Sequence, residues 1–131
     1  MSTQSMTLDV PPAPDAPRSV RRLVRSILDV WQCSSPDGAA DAELLTHEIV
    51  ANAVEHAGGE HSLALELAHS DGWLRVSLAD GSAVRPMIRE INDPAVGGLG
   101  MRMVDTIADR WGSEDHHGGK RVWFELRLRP T

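Results

Sequence analysis

The stretch EIVANAVEHA, residues 48–57, decides the fold, because it combines a buried helical face with two polar residues at the border of that face. At about 100° per residue, the apolar side chains of the region fill one continuous half of a helical wheel. They are Leu45, Ile49, Val50, Ala53, Val54 and Ala57. Glu48 and Asn52 lie side by side along its border, one turn apart. The stretch therefore predicts a core helix that carries a polar pair at its edge.

Two interpretations of this polar pair stay open from the helix alone. A carboxylate and an amide oxygen are hard ligands that suit Mg²⁺ and its waters. Alternatively, Glu48 and Asn52 hydrogen-bond to neighbours at the protein surface. A zinc-protease motif is excluded, because HExxH starting at His47 requires a second histidine where the chain has Ala51.

The segments on either side of this helix predict an α+β fold. Helical periodicity recurs in three segments: 18–32, 39–57 and 99–111. Strand-like segments are also present: 61–69, 73–79, 113–117 and 121–128. Gly112 is interpreted as the stop of the third helix. The order predicts a two-layer α/β sandwich, in which three helices cover one face of a mixed, mostly antiparallel sheet.

The length of 131 residues predicts one folded domain over residues 18–131. Residues 1–17 are polar and proline-rich, and we expect a flexible segment in which Met6–Val10 could add an edge strand. Residues 81–98 have no sustained period and exceed the usual connection of about 4–6 residues. This connection predicts a lid.

Composition narrows the expected location and partners. A formal net charge of -6 opposes direct nucleic-acid binding, which needs a basic face. The single cysteine and the lack of an apolar leader or membrane-spanning run predict a cytoplasmic protein with no membrane association. Four arginines, Arg18, Arg21, Arg22 and Arg25, form a stripe on the first helix. The stripe is either a solvated face or a docking surface for an acidic protein partner.

Two further segments could contact a nucleotide. Gly97-Gly98-Leu99-Gly100 directly precedes a helix, where small residues and a helix N-terminus favour the approach of an anion. The alternative is a glycine-rich turn that is needed for steric reasons only. Asp80-Gly81 ends the strand of residues 73–79, and Asp80 is either an acceptor for an adenine amine or part of a simple turn.

These features in this order resemble the N, G1 and G2 boxes and the closing hairpin of the GHKL ATPases, which have the Bergerat fold. The motifs are Glu48-x-x-x-Asn52, Asp80-Gly81, GGLGMRMVDTIADRWG at 97–112 and GGKRVWFEL at 118–126. Within that superfamily, residues 18–128 resemble the stand-alone anti-sigma factor serine/threonine kinases of bacteria.

The resemblance implies an ATP site with Mg²⁺. Asn52 would coordinate Mg²⁺, Glu48 would be the general base, and Asp80 would accept a hydrogen bond from the adenine amine. The other implied nucleotide-binding positions are Gly81, Gly97, Gly98, Leu99 and Gly100. Residues 81–98 would be the lid over this site.

The resemblance also implies protein partners. The substrate would be a serine of an anti-anti-sigma factor, the other partner would be a sigma factor held inactive, and the chain would form a homodimer. One alternative is a nucleotide-binding partner-switching module without kinase activity. Another is the catalytic domain of a histidine kinase, which is disfavoured because no histidine precedes His47.

The sequence departs from the family pattern in two places. The G1 segment reads DGSAVRP and lacks the second glycine of the fuller pattern. Arg121 stands near the start of the last strand, where relatives commonly carry a small hydroxyl residue close to adenine. We therefore expect the adenine side of the site to differ from that of relatives.

Overall fold

The computed structural model describes residues 3–33, 35–56, 62–80, 99–116 and 119–128. Its helices are α1 (Ala16–Trp31), α2 (Pro36–His56) and α3 (Leu99–Ile107). Its strands are β1 (Gln4–Val10), β2 (Leu63–Ser70), β3 (Trp73–Asp80), β4 (Arg110–His116) and β5 (Gly119–Arg127). The predicted lid, residues 81–98, lies outside the described residues, and the division of the chain at residues 17 and 18 stays a prediction.

The five described strands form one sheet in the order β1-β2-β3-β5-β4. All four pairings between them are antiparallel, so this part of the sheet contains none of the parallel pairs that a mixed sheet would have. Asp71 and Gly72 connect β2 to β3 and have φ angles of 54° and 82°. Positive φ at both central residues is the signature of a type I′ hairpin turn, for which Asp-Gly is a favoured sequence. The α+β prediction is confirmed.

The core lies between the sheet and the helices, which all pack against the same face. Strand alternation places every second residue on that face, and nine of these side chains are buried in β2, β3 and β5. They are Leu63, Leu65, Leu67, Leu74, Val76, Leu78, Val122, Phe124 and Leu126. The helices contribute Val20, Val24, Ile27, Leu45, Ile49, Val50, Met101 and Val104. No helix of the described chain is both long and apolar enough to cross a membrane.

The third helix is shorter than its sequence predicts. It ends at Ile107 rather than near Trp111, and the backbone N–H of Asp109 already donates to the carbonyl of Glu125 at 3.0 Å. Trp111 belongs to β4, where it pairs with Phe124 of β5. Trp111 fits the apolar side of the helix and the inner side of the strand equally well, so pairing with β5 decides between the two.

Gly112 is therefore not a helix stop but an interior residue of β4. It lies directly opposite Trp123. A Cβ atom at position 112 would stand 2.9 Å from Cζ2 of the Trp123 ring. Glycine in a strand interior marks such a close approach of backbone and neighbour.

We predict that Gly112→Ala lowers the free energy of unfolding by about 1–3 kcal/mol, because the added methyl group must displace the Trp123 ring. Urea denaturation would measure this change. Ser113→Ala is the matched control, since the Ser113 Oγ is buried without a hydrogen-bond partner among the described residues. Its removal should leave stability unchanged or slightly raised. Equal stability of the two variants would contradict the steric explanation.

An ion pair joins α1 to α2. Arg25 Nη2 lies 2.9 Å from Glu43 Oε1, and the Glu43 side chain is 5% exposed while that of Arg25 is 70% exposed. Burial makes the carboxylate depend on this partner. One member of the arginine stripe is thus part of the helix packing, whereas Arg18, Arg21 and Arg22 are exposed.

We predict that Arg25→Met destabilises the fold by about 1–3 kcal/mol, since it leaves the buried Glu43 carboxylate without its charged donor. Arg22→Met removes the same charge from an exposed neighbour on α1 and should change stability by less than about 0.5 kcal/mol. Thermal unfolding of both variants tests this. A loss of equal size in both would mean that net charge, rather than the pair, controls stability.

Candidate functional site

The border of the buried face of α2 carries Glu48 and Asn52, as the helical wheel predicts. Ile49, Val50 and Ala53 are buried, while Glu48 and Asn52 are half-buried. The Glu48 side chain is 22% exposed. Both side chains are therefore accessible to a ligand at the helix surface. Their oxygens are suitable ligands for a hard cation.

His47 stands next to this pair and contacts the carboxylate. Its Nδ1 lies 3.6 Å from Glu48 Oε1. The same nitrogen is buried and lacks a hydrogen-bond partner within the described residues. Sequence reasoning considered His47 only as a zinc ligand and missed this contact.

Asp80 closes β3 on the face that the helices cover. It has the same orientation as Val76 and Leu78 and is 7% exposed. A carboxylate in this position requires hydrogen-bond donors or a countercharge. Its burial argues against the alternative of a solvated Asp-Gly turn.

Lys120 is the residue opposite Asp80 on the neighbouring strand. It is 1% exposed and points to the same face as Val122 and Phe124. Sequence reasoning missed this lysine, although the alternation of Val122 and Phe124, continued back by one step, places position 120 on the core face.

The expectation for Arg121 needs correction. Arg121 pairs with Ala79 and lies on the opposite face of β5, where its Nη1 is 3.6 Å from Glu114 Oε1. Successive strand residues point to opposite faces of a sheet, so a shift of one position separates Arg121 from Asp80. Of the two basic residues, Lys120 therefore lies on the same face of the sheet as Asp80, and Arg121 does not.

The helix that carries Glu48 and Asn52 contacts the elements that carry the other described positions. α2, with Glu48 and Asn52, packs against α3 and also contacts β3 and β5. α3 begins at Leu99, and Gly100 lies in its first turn. The remaining predicted positions, Gly81, Gly97 and Gly98, lie outside the described residues.

The donor set fits Mg²⁺ that enters with a nucleotide. Mg²⁺ in phosphate-transfer sites keeps several waters and uses one or two protein oxygens together with the substrate phosphates. Glu48 and Asn52 offer a carboxylate and an amide oxygen of this kind. Within the part of the chain that the structure describes, no group of three or more His, Cys, Asp or Glu could hold a metal.

A cleft of about 450 Å³ lies elsewhere, between α1 and the first turns of α2. Arg25, Asp29 and Glu43 are among its lining residues. None of the described positions that are predicted to bind nucleotide borders it. The polar residues of α2 and β3, rather than this cleft, are therefore the candidate nucleotide site.

Comparison with known proteins gives the family. Residues 10–126 match the family described as the histidine kinase-like ATPase domain, HATPase_c_2. No curated protein matches the chain.

Two solved structures are similar in fold. The crystal structure of the RsbU and RsbW domains of Rv1364c from Mycobacterium tuberculosis has a TM-score of 0.70 and 23% sequence identity. The match covers 98% of this chain and 34% of that chain. The histidine kinase domain from the Erythrobacter litoralis EL346 blue-light activated histidine kinase has a TM-score of 0.55 and 22% identity. That match covers 70% of this chain and 45% of that chain.

The chain thus spans about a third and just under half of the length of these two proteins. At such identities the structural likeness concerns the fold alone. The family match concerns the sequence itself, and the matched residues include α2, the end of β3 and most of β5. The chain belongs to the histidine kinase-like ATPase domain family, the GHKL type of ATP-binding domain.

Proposed function

We propose that this chain binds Mg-ATP and transfers its γ-phosphoryl group to a serine of an anti-anti-sigma partner, and that it sequesters a sigma factor in its other state. The observation that carries the proposal is the half-buried pair of Glu48 and Asn52 on α2. In an ATPase-family chain, this pair supplies both a metal ligand and a base.

Different residues of the chain would bind different parts of the nucleotide. The Asn52 amide oxygen would hold Mg²⁺, and Asp80 would accept the hydrogen bond of the adenine amine. The backbone around Gly97, Gly98 and Gly100 would surround the phosphates at the start of α3, where helix N–H groups favour anions. When bound, Mg-ATP supplies the transferable phosphoryl group and neutralises charge on the phosphates.

Glu48 would act as the general base. Its side chain is partly exposed, so a serine hydroxyl of a protein partner could reach it. Glu48 would take the hydroxyl proton as the oxygen bonds to phosphorus and ADP leaves. His47, at 3.6 Å, would hold the carboxylate in place.

The partner-switching part of the proposal has separate support. The structural likeness to a protein that contains an RsbW domain is consistent with a regulator that exchanges protein partners. Arg18, Arg21 and Arg22 leave an exposed positive stripe on α1, which fits an acidic partner surface. A homodimer and a cytoplasmic location complete the proposal.

We predict that saturating Mg-ATP stabilises the wild-type chain but not Asn52→Ala. Ligand at about 100 times its dissociation constant adds about 2.7 kcal/mol, which corresponds to several degrees of melting temperature for a chain of this size. Glu55→Ala is the control, because Glu55 is exposed on the same helix. The absence of a shift in the wild type at millimolar Mg-ATP would refute the nucleotide site.

We predict that Glu48→Gln keeps the stabilisation by Mg-ATP but slows phosphorylation by about 10²–10⁴-fold, since the amide cannot accept the serine proton. The assay uses labelled ATP with purified anti-anti-sigma domains and their Ser→Ala forms. If the wild type binds ATP without transferring label to any of them, a partner-switching module without kinase activity becomes the better description. Label on a histidine would instead favour a histidine-kinase type of domain.

A further inference from the structure

Lys120 lies between two aspartates on the neighbouring strands, near the start of β5. Its cross-strand neighbours are Asp80 on β3 and Asp115 on β4. By strand alternation, all three residues point to the face that the helices cover. Lysine is rarely fully buried unless its charge is paired, yet Lys120 is 1% exposed.

The two carboxylates differ in their surroundings. Asp80 is buried, whereas Asp115 is exposed. Side chains directly opposite on neighbouring strands have Cβ atoms about 4.5–5.5 Å apart, which is close enough for opposite charges to stabilise each other. Water screens an exposed carboxylate but not a buried one. Asp80 and Lys120 are therefore the pair for which charge compensation matters most.

We propose that Lys120 is the internal counter-ion of Asp80 and that it thereby limits the affinity of the site for ATP. The second half of this proposal rests on the proposed function, in which Asp80 binds the adenine amine. An ammonium group attracts a carboxylate more strongly than a neutral amine does, because it carries a full positive charge. Adenine must then share Asp80 with Lys120 or displace it.

The proposed effect on ATP affinity depends on which face of β5 carries the positive charge. Arg121 carries the same charge one residue further along, but it lies on the other face beside Glu114. It is thus a control for the loss of a positive charge at nearly the same place in the sequence. Asp115 is the corresponding control for the loss of a carboxylate next to Lys120.

The first experiment measures the ion pair without nucleotide. Melting temperatures are compared for Lys120→Met, Asp80→Asn, Asp115→Asn and the two double mutants that combine Lys120→Met with each Asp→Asn change. We expect Lys120→Met alone to lower the melting temperature and Asp80→Asn to restore most of the loss in the double mutant, because both charges are then removed. Asp115→Asn should restore much less.

The double mutant of Lys120→Met and Asp80→Asn also keeps the test informative if a single variant misfolds. If Lys120→Met alone does not fold, the variant with Asp80→Asn should fold under the proposal. Additive losses for Lys120 and Asp80, or stronger coupling of Lys120 to Asp115, would overturn the ion pair. A double mutant that fails to fold although Asp80→Asn folds would overturn it as well.

The second experiment measures ATP binding by isothermal titration with Mg-ATP. We expect Lys120→Thr to bind ATP about tenfold more tightly than the wild type, the change that corresponds to loss of one competing interaction of about 1.4 kcal/mol. Arg121→Thr should bind like the wild type. Weaker binding by Lys120→Thr would overturn the proposed competition and indicate that Lys120 contacts the nucleotide itself.

The two experiments separate the two proposals. If neither the wild type nor Lys120→Thr binds ATP, the proposed function fails and the effect on affinity fails with it. The coupling between Lys120 and Asp80 is measured without nucleotide, so it still decides whether the ion pair exists. Tighter binding together with strong coupling supports both.

Discussion

The pairing of β5 with β3 on one side and β4 on the other is the interaction on which the rest of the structure depends. β5 lies between these two strands and contributes Val122, Phe124 and Leu126 to the core. Because the side chains of a strand alternate between faces, a slip by one residue would bring the other set of side chains to the core. The register therefore sets core packing and the environment of Lys120 at the same time.

The same register organises the face that the described helices leave uncovered. Trp73 and Trp123 are half-buried there, and arginines cover their rings. Arg75 lies 4.3 Å from the centre of Trp123, and Arg110 lies 4.5 Å from the centre of Trp73. Such cation–π contacts contribute about 0.5–1 kcal/mol each at exposed sites. Through these contacts, large aromatic side chains stabilise a sheet face that no described helix covers, and the charged guanidinium groups stay in contact with solvent.

Glu125 forms ion pairs with both of these arginines. Its carboxylate lies 3.6 Å from Arg75 and 3.5 Å from Arg110, which come from the strands on either side of β5. Gly112 allows the Trp123 ring to lie close to the backbone of β4. The outer face is thus built from charge and aromatic contacts, whereas the inner face is built from aliphatic packing with a few polar groups at its end.

Those few polar groups are the candidate site. α2 has a largely apolar buried side with Glu48 and Asn52 at its border. β3 ends in a buried acid, Asp80, and the second residue of β5 is a buried base, Lys120. Charged groups at the edge of a core are costly unless they are paired or bind a ligand. Two compensations follow from the described residues: the contact of His47 with Glu48, and the position of Lys120 opposite Asp80.

The sequence by itself determined the local features. The apolar spacing around Glu48 and Asn52 indicated α2, and strand-like periodicity indicated β2 and β3. Each of these signals depends on residues a few positions apart. The functions predicted for Gly81, Gly97 and Gly98 stay predictions, because these residues lie outside the described part of the chain.

Only the tertiary structure decided the features that depend on partners distant in sequence. The position of Trp111 fits both a helix pattern and a strand pattern in the sequence. Pairing with β5 makes it part of a strand. Glu43 became a buried group because α1 supplies Arg25. Lys120, rather than Arg121, lies on the same face as Asp80 because cross-strand register sets which residues are opposite, and a one-residue change in register reverses every face of the strand.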